Sequence, residues 1–191
     1  MKKILLFFVL GVLLASCSGK LTTSKAEKLI KERLKQNPVE RYVTLKTGEI
    51  SLFGYNEMRK ADIYEKLQKE GLITFIKKEG LYEYRCSINL TEKGKKYVVD
   101  TKKIDRMPYT ENKIKSYSIT LDKVEEIHLI PMMNAAEVLT SFKVEKTPFV
   151  ALEDQATLSA IGEGDYVSKK IEFIKLENKG WKSGNIDLTS R

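Results

Sequence analysis

The sequence predicts an α+β protein: a small N-terminal domain of helices and β-hairpins, followed by a mainly antiparallel β domain. Three observations carry this reading. Apolar residues recur at helical spacing around Ile30 and around Tyr64. They alternate with polar ones from Tyr82 to Leu90 and over much of residues 113–191. A polar stretch containing Met107-Pro108 lies between the two halves. The length of 191 residues allows one large or two small domains, and an apolar fraction of 42% is enough to bury a core.

The chain opens with Lys2 and Lys3, then runs apolar from Ile4 to Leu14 apart from Gly11. Leu14-Ala15-Ser16-Cys17 follows, and the sequence turns polar at Ser18, Gly19 and Lys20. A charged start, a short apolar run and small residues before a cut site are the layout of a secretory signal peptide. The run is shorter than the roughly 17–25 residues needed to cross a bilayer core. Leu-Ala-Ser-Cys resembles the lipobox of bacterial lipoproteins. The resemblance implies a signal peptide over residues 1–16, cleavage between Ser16 and Cys17, and a diacylglyceryl group on the Cys17 thiol. It also implies residence in the bacterial cell envelope, anchored to the inner or the outer membrane. Each buried methylene contributes roughly 0.8 kcal/mol, so one acyl chain holds marginally and two or three hold durably. Residues 17–23 read as a lipidated tether with a reach of at most about 25 Å.

Ser24 and Glu27 stand at capping-box spacing. Ala26, Leu29, Ile30 and Leu34 follow at helical intervals until Asn37-Pro38, which predicts a helix over Ser24–Gln36. Val43 and Leu45 alternate before Thr47-Gly48, and Ile50 and Leu52 alternate after it, which predicts a β-hairpin over Tyr42–Leu52. Asn56 is the expected cap of a second helix, with Ala61, Ile63, Tyr64 and Leu67 on its buried face and Gly71 at its left-handed end. Leu72–Ile76 reads as a strand and Lys77-Lys78-Glu79-Gly80 as a turn. Tyr82, Tyr84, Cys86, Ile88 and Leu90 then share one face of a strand, and Thr91 starts a short helix through Tyr97.

From Leu67 to Gly94 the order is helix, glycine, strand, charged turn, strand, and then Leu90-Thr91-Glu92-Lys93-Gly94. This resembles the second half of a winged-helix domain, in which Leu-Thr-x-x-Gly follows the last wing strand. The resemblance implies a winged-helix-like domain over residues 24–99. The pattern departs from that family where the Tyr42–Leu52 hairpin takes the place of one helix.

Asp100–Asn112 has no sustained period and reads as a linker. In the β-rich remainder, Tyr117, Ile119 and Leu121 alternate, and Val124–Ile130 is strand-like until Pro131. Ala136, Val138, Thr140, Phe142 and Val144 alternate before Thr147-Pro148 breaks the run. Glu153–Ile161 reads as a short helix or a loop, and Gly162-Glu163-Gly164 as a turn. Val167–Leu176 is a long strand, and Glu177–Gly180 turns it into a last strand from Trp181. Trp181 and the strand tyrosines read as core packing.

The formal charge is +8; taking away Lys2 and Lys3 removes 2 and leaves +6. A basic chain favours anionic partners, although 26 acidic residues are interleaved with the basic ones. Lys77, Lys78 and Arg85, around the wing-like hairpin, are the candidate contacts for such a partner. With Cys17 acylated, Cys86 has no mate for an intrachain disulfide, and its alternation with Ile88 makes it a buried thiol. His128 is the single histidine, so no zinc set of His and Cys can be assembled and any His-assisted nucleophile would need this residue. It reads as a strand histidine with a hydrogen-bond partner. No metal or cofactor is expected, and no catalytic residue is nominated. The expectation is a non-catalytic binding or assembly module of the envelope, working on an envelope protein or an anionic polymer. The alternative is a basic winged-helix-like domain that binds nucleic acid, which export would separate from the chromosome.

Overall fold

A computed structural model of the chain describes residues 19–54, 57, 59–79 and 83–186. In chain order the elements are helix α1 (Thr23–Gln36), strand β1 (Glu40–Phe53), helix α2 (Lys60–Lys69), strands β2 (Ile73–Glu79) and β3 (Glu83–Leu90), and the short helix α3 (Glu92–Lys95). Strands β4 (Val98–Lys103), β5 (Tyr109–Ile130) and β6 (Ala135–Lys146) come next, then helix α4 (Gln155–Ile161) and strands β7 (Tyr166–Leu176) and β8 (Gly180–Ser183). Single 3-10 turns at Pro131–Met133 and Pro148–Leu152 flank β6. The strands hydrogen-bond in the order β2-β3-β1-β5-β6-β7-β8, with β4 added to β5, in one eight-stranded, mainly antiparallel sheet.

This overturns the expected fold class. The described chain is not a winged-helix-like α/β-hairpin domain followed by an antiparallel β domain. The local order around the wing is present, but β3 pairs onward with β1 and the hairpin is part of the larger sheet. The chain folds into two compact units, each gathered from separated stretches. Among the described residues, the first comprises 19–39, Thr120–Lys143 and 166–186; the second comprises those within Glu40–Ile119 and Val144–Asp165. Helix α1 therefore belongs with the C-terminal strands and not with the wing-like hairpin. Periodicity reports the face of each segment but not which distant strand it joins, and it was the distant pairing that decided the fold.

In the first unit, α1 starts earlier than the capping box suggests. Thr22 is the N-cap: it is extended, and its hydroxyl accepts the Lys25 N–H at 3.3 Å. Leu21 before the cap and Ala26 in the first turn are both buried, an arrangement that fixes the entry angle of the chain. The helix packs on β8. Strands β6 and β7 bury Ala136, Val138, Phe142, Ile171 and Phe173. Trp181 on β8 is buried, and its indole N–H donates to the Gly19 carbonyl at 3.2 Å. Residues 17–23 are thus not all free tether: from Gly19 onward they are tied into this unit.

In the second unit, the predicted Tyr42–Leu52 hairpin is instead the single long strand β1. Residues Glu40–Gly48 pair with β5, and residues Gly48–Phe53 pair with β3. Gly48 is the residue at which the strand changes partner. Its φ is 111°, and a Cβ there would lie 2.4 Å from the Pro108 carbonyl oxygen. That same oxygen accepts the Glu49 N–H at 3.1 Å. Alternation on both sides of a glycine fits either a hairpin or a bent strand, and the approach of Pro108 selects the second.

Helix α2 buries Ala61, Tyr64 and Leu67 in a core with Leu45, Leu52, Phe75, Cys86, Ile88, Ile114 and Phe149. Each buried Leu, Ile or Phe side chain among them contributes roughly 1.5–3 kcal/mol by leaving water. The Leu90–Gly94 segment ties this helix to the hairpin. The Thr91 hydroxyl donates to the Gly71 carbonyl at 2.7 Å and accepts the Gly94 N–H at 3.1 Å. A Cβ on Gly94 would meet the Leu72 carbonyl oxygen at 2.0 Å. Asp100–Asn112, expected as a linker, forms the end of β4, a turn and the start of β5. Its polarity belongs to an exposed strand: β4 is exposed from Val99 to Lys103. The ambiguous stretch before Ile161 is helical, with the Asp154 side chain accepting the Thr157 N–H at 2.7 Å.

A Cβ at position 48 would meet backbone and not a yielding side chain, and would also have to hold positive φ. Gly48→Ala should therefore destabilise by more than about 2 kcal/mol in denaturant unfolding. A change below about 0.5 kcal/mol, the range of an ordinary surface substitution, would mean that the bend is not enforced.

Candidate functional site

Beside Gly48 the second unit carries a recess of about 580 Å³. One wall is β1 from Thr44 to Leu52. Pro108 and Tyr109, which lead into β5, form another, and α2 contributes Lys60 and Tyr64. Arg85 reaches the recess from β3. The side-chain positions follow from the bend, because it is there that β1 leaves β5 and takes up β3.

Tyr64 is buried and stacks at a tilt on Phe75, with ring centroids 5.5 Å apart. Burial, with a smaller contribution from the Glu57 charge, pushes the phenol up to about 12. It therefore stays protonated at any physiological pH and can donate a hydrogen bond. Lys60 and Glu57 form an ion pair at 2.6 Å, both about half exposed. The Lys46 ammonium stands 4.7 Å from the centre of the Tyr109 ring. The lining holds three basic residues (Lys46, Lys60, Arg85) and three acidic ones (Glu49, Glu57, Glu111). Its formal charge is therefore zero, and net charge does not select an anion here. The arrangement offers ring surface, hydroxyl donors and charges of both signs along a strand, which suits a polar ligand of mixed charge such as a polypeptide segment.

A second polar cluster sits where β1 and β5 begin to pair. Lys115 donates to Glu40 at 2.6 Å, the Tyr42 hydroxyl donates to the other Glu40 oxygen, and the Lys113 ammonium lies 4.3 Å from the Tyr42 ring centre. The Lys115 hydrogen bond, then that of Tyr42, holds the Glu40 carboxyl below its ordinary value. The same bond to Glu40 raises the Tyr42 phenol.

The residues singled out from sequence are distributed differently from the expected patch. Lys77 and Lys78 lie within β2 and not in a turn. Lys78 is opposite Arg85, while Lys77 is opposite Cys86. Opposed residues share a face, so Lys78 and Arg85 point one way and Lys77 the other. Of the three, Arg85 lines the recess. Cys86 is buried, and burial pushes its thiol up. His128 is exposed on β5, in a shallow groove of the first unit with Glu126, Glu137, Leu139 and Lys170, the last two charges 3.1 Å apart. Ser16, Cys17, Asn56 and Tyr82 lie outside the described residues.

Sequence reasoning missed Lys46, Lys60, Tyr109 and Glu111. The available signal was Gly48: a glycine inside an alternating run marks a bulge or a close backbone approach as readily as a turn. Among the described residues no three His, Cys, Asp or Glu side chains are grouped to hold a metal ion, and no helix is long and apolar enough to cross a membrane. Compared with known proteins, the chain matches no family model, no curated sequence and no solved structure.

The depressed Glu40 carboxyl has a definite pH signature. Its stabilisation is present above the ordinary glutamate value of about 4.3 and is lost as pH falls through that value to the lower folded one. The melting-temperature advantage of the native protein over Glu40→Gln should be present at neutral pH and close as the solution is acidified through this range. An advantage independent of pH would show that the carboxylate charge is not what the cluster holds.

Proposed function

We propose that the chain is a lipid-anchored bacterial envelope lipoprotein acting as a non-catalytic binding or assembly module. The observation that carries the reading is Leu14-Ala15-Ser16-Cys17 at the end of a charged and then apolar leader. Acyl chains on Cys17 attach the protein to a membrane, and the folded chain begins close behind them. Gly19 is two residues past Cys17, and its carbonyl is held by Trp181.

The partner in this reading is an envelope protein, taken up at the recess beside Gly48. The balance of charges there favours a polypeptide over an anionic polymer, and Tyr109 with Lys46 over its ring supplies an aromatic and cationic contact. Recognition rests on shape and paired polar groups, so no bond in the partner is made or broken.

A thiol is a far better nucleophile than a hydroxyl for lipid transfer. Cys17→Ser should therefore leave the precursor uncut between Ser16 and Cys17 and without acyl mass. Normal processing and detergent partition of that variant would end the lipoprotein reading. The binding site has its own test. A photocrosslinking residue in place of Lys46 should trap a defined envelope protein in intact cells, and one in place of exposed Ser159 should not. Equal yields from both positions would move the binding site away from this recess.

A further inference from the structure

The turn between β5 and β6 is apolar and projects into solvent. Met132 is 99% exposed and Met133 71% exposed. Pro131 opens the turn, and Asn134, in the left-handed conformation, closes it. Next to it, Ala135 lies opposite Ile174, which is 53% exposed. The Lys175 N–H donates to the Asn134 carbonyl at 2.7 Å, so the turn lies against the end of β7, where Leu176 is also exposed. Four apolar side chains thus share one end of the first unit. Isolated exposed apolar residues are ordinary, but a contiguous group flanked by charges marks a contact surface.

Two further observations say what covers it. The first is the place where the chain leaves for Cys17. Lys175 is paired with Trp181, and Trp181 holds the Gly19 carbonyl. Strands β6 and β8 flank β7, so the methionine turn and the strand that holds Gly19 are two strand spacings apart, about 10 Å. The two residues from Gly19 back to Cys17 span at most about 7 Å. The second is charge. Lys20, Lys179 and Lys182 are exposed at this end, with Glu177 as the acid on the β7–β8 turn.

We propose that this end of the first unit is a membrane-contacting surface. Met132 and Met133 enter the interfacial layer of the bilayer beside the acyl chains on Cys17, while Lys20, Lys179 and Lys182 meet anionic phospholipid headgroups. The proposal rests on the lipoprotein reading and goes beyond it by naming the face turned to the lipid. Unbranched, polarisable methionine suits insertion among disordered chains, and lysine keeps its ammonium at the headgroup level while its stem lies on apolar surface. The turn then acts as a second attachment point and sets the orientation of the unit, which a flexible lipid link alone does not do.

The test compares the mature lipidated protein on vesicles of phosphatidylethanolamine and phosphatidylglycerol with a chain beginning at Ser18 free in solution. Both are exposed to hydroxyl radicals made in water, with a soluble methionine peptide as dosimeter. Mass spectrometry then reads sulfoxide at Met132 and Met133 and acyl mass at Cys17. Oxidation of both methionines should be about fivefold slower or more on the vesicles, because oxidation of a methionine follows its access to water. Acyl mass at Cys17 with unchanged oxidation would overturn this inference and leave the lipoprotein reading intact. Absent acyl mass would remove both. Slowing that appears in solution as protein concentration rises would assign the surface to a second copy of the chain. Slowing in native envelopes but not on the purified vesicles would assign it to a protein partner. Either result would overturn the proposal.

Discussion

The contact on which the second unit depends is the one between Gly48 and Pro108. A backbone oxygen sits where any side chain at position 48 would begin, and the next amide of β1 donates to that oxygen. Only a residue without a Cβ, at positive φ, fits there. The consequence is a strand of 14 residues that serves two neighbours in turn, β5 before the glycine and β3 after it. Because the neighbours change at one point, the side chains of β1, α2 and the Pro108-Tyr109 corner converge on a recess. Fold and candidate site therefore have one origin, a glycine that lets two backbones approach.

The first unit is organised by a different tie. The Trp181 indole is buried on β8 and donates to Gly19, joining residues that are 162 positions apart. A buried N–H without a partner would be costly, so this bond and the packing of α1 on β8 support each other. Their combined effect is to bring the start of the folded chain to its end. Gly19, the first described residue, is thus tied to a side chain of the last strand.

Charge is distributed unevenly over the described surface. The chain is strongly basic in total, yet the recess balances its acids and bases, and the lysines at the methionine end belong to a separate surface. Net charge alone favours anionic partners of several kinds. Its placement differs between the units: the recess in one unit balances its charges, while in the other unit exposed lysines lie near exposed apolar side chains.

The sequence by itself determined the local elements wherever one face is buried. The helix around Ile30, the α2 face of Ala61, Tyr64 and Leu67, the burial of Cys86 and Trp181, and the final hairpin were all legible, because burial on one face imposes a period of 3.6 or 2. The leader-like run and the lipobox resemblance at Cys17 are readings of sequence alone, since both lie outside the described residues. Tertiary structure decided everything that depends on partners. It made Tyr42–Leu52 one strand and not two, turned both ends of the polar Asp100–Asn112 stretch into strand about a short turn, and moved α1 to the C-terminal strands. It also parted Lys77 from Lys78 and Arg85 and brought Lys46, Lys60 and Tyr109 together. The physical reason is that alternation is a property of one strand, whereas pairing is a property of two. The hydrogen bonds that choose between partners join residues far apart in the chain, and nothing in the local period carries their address.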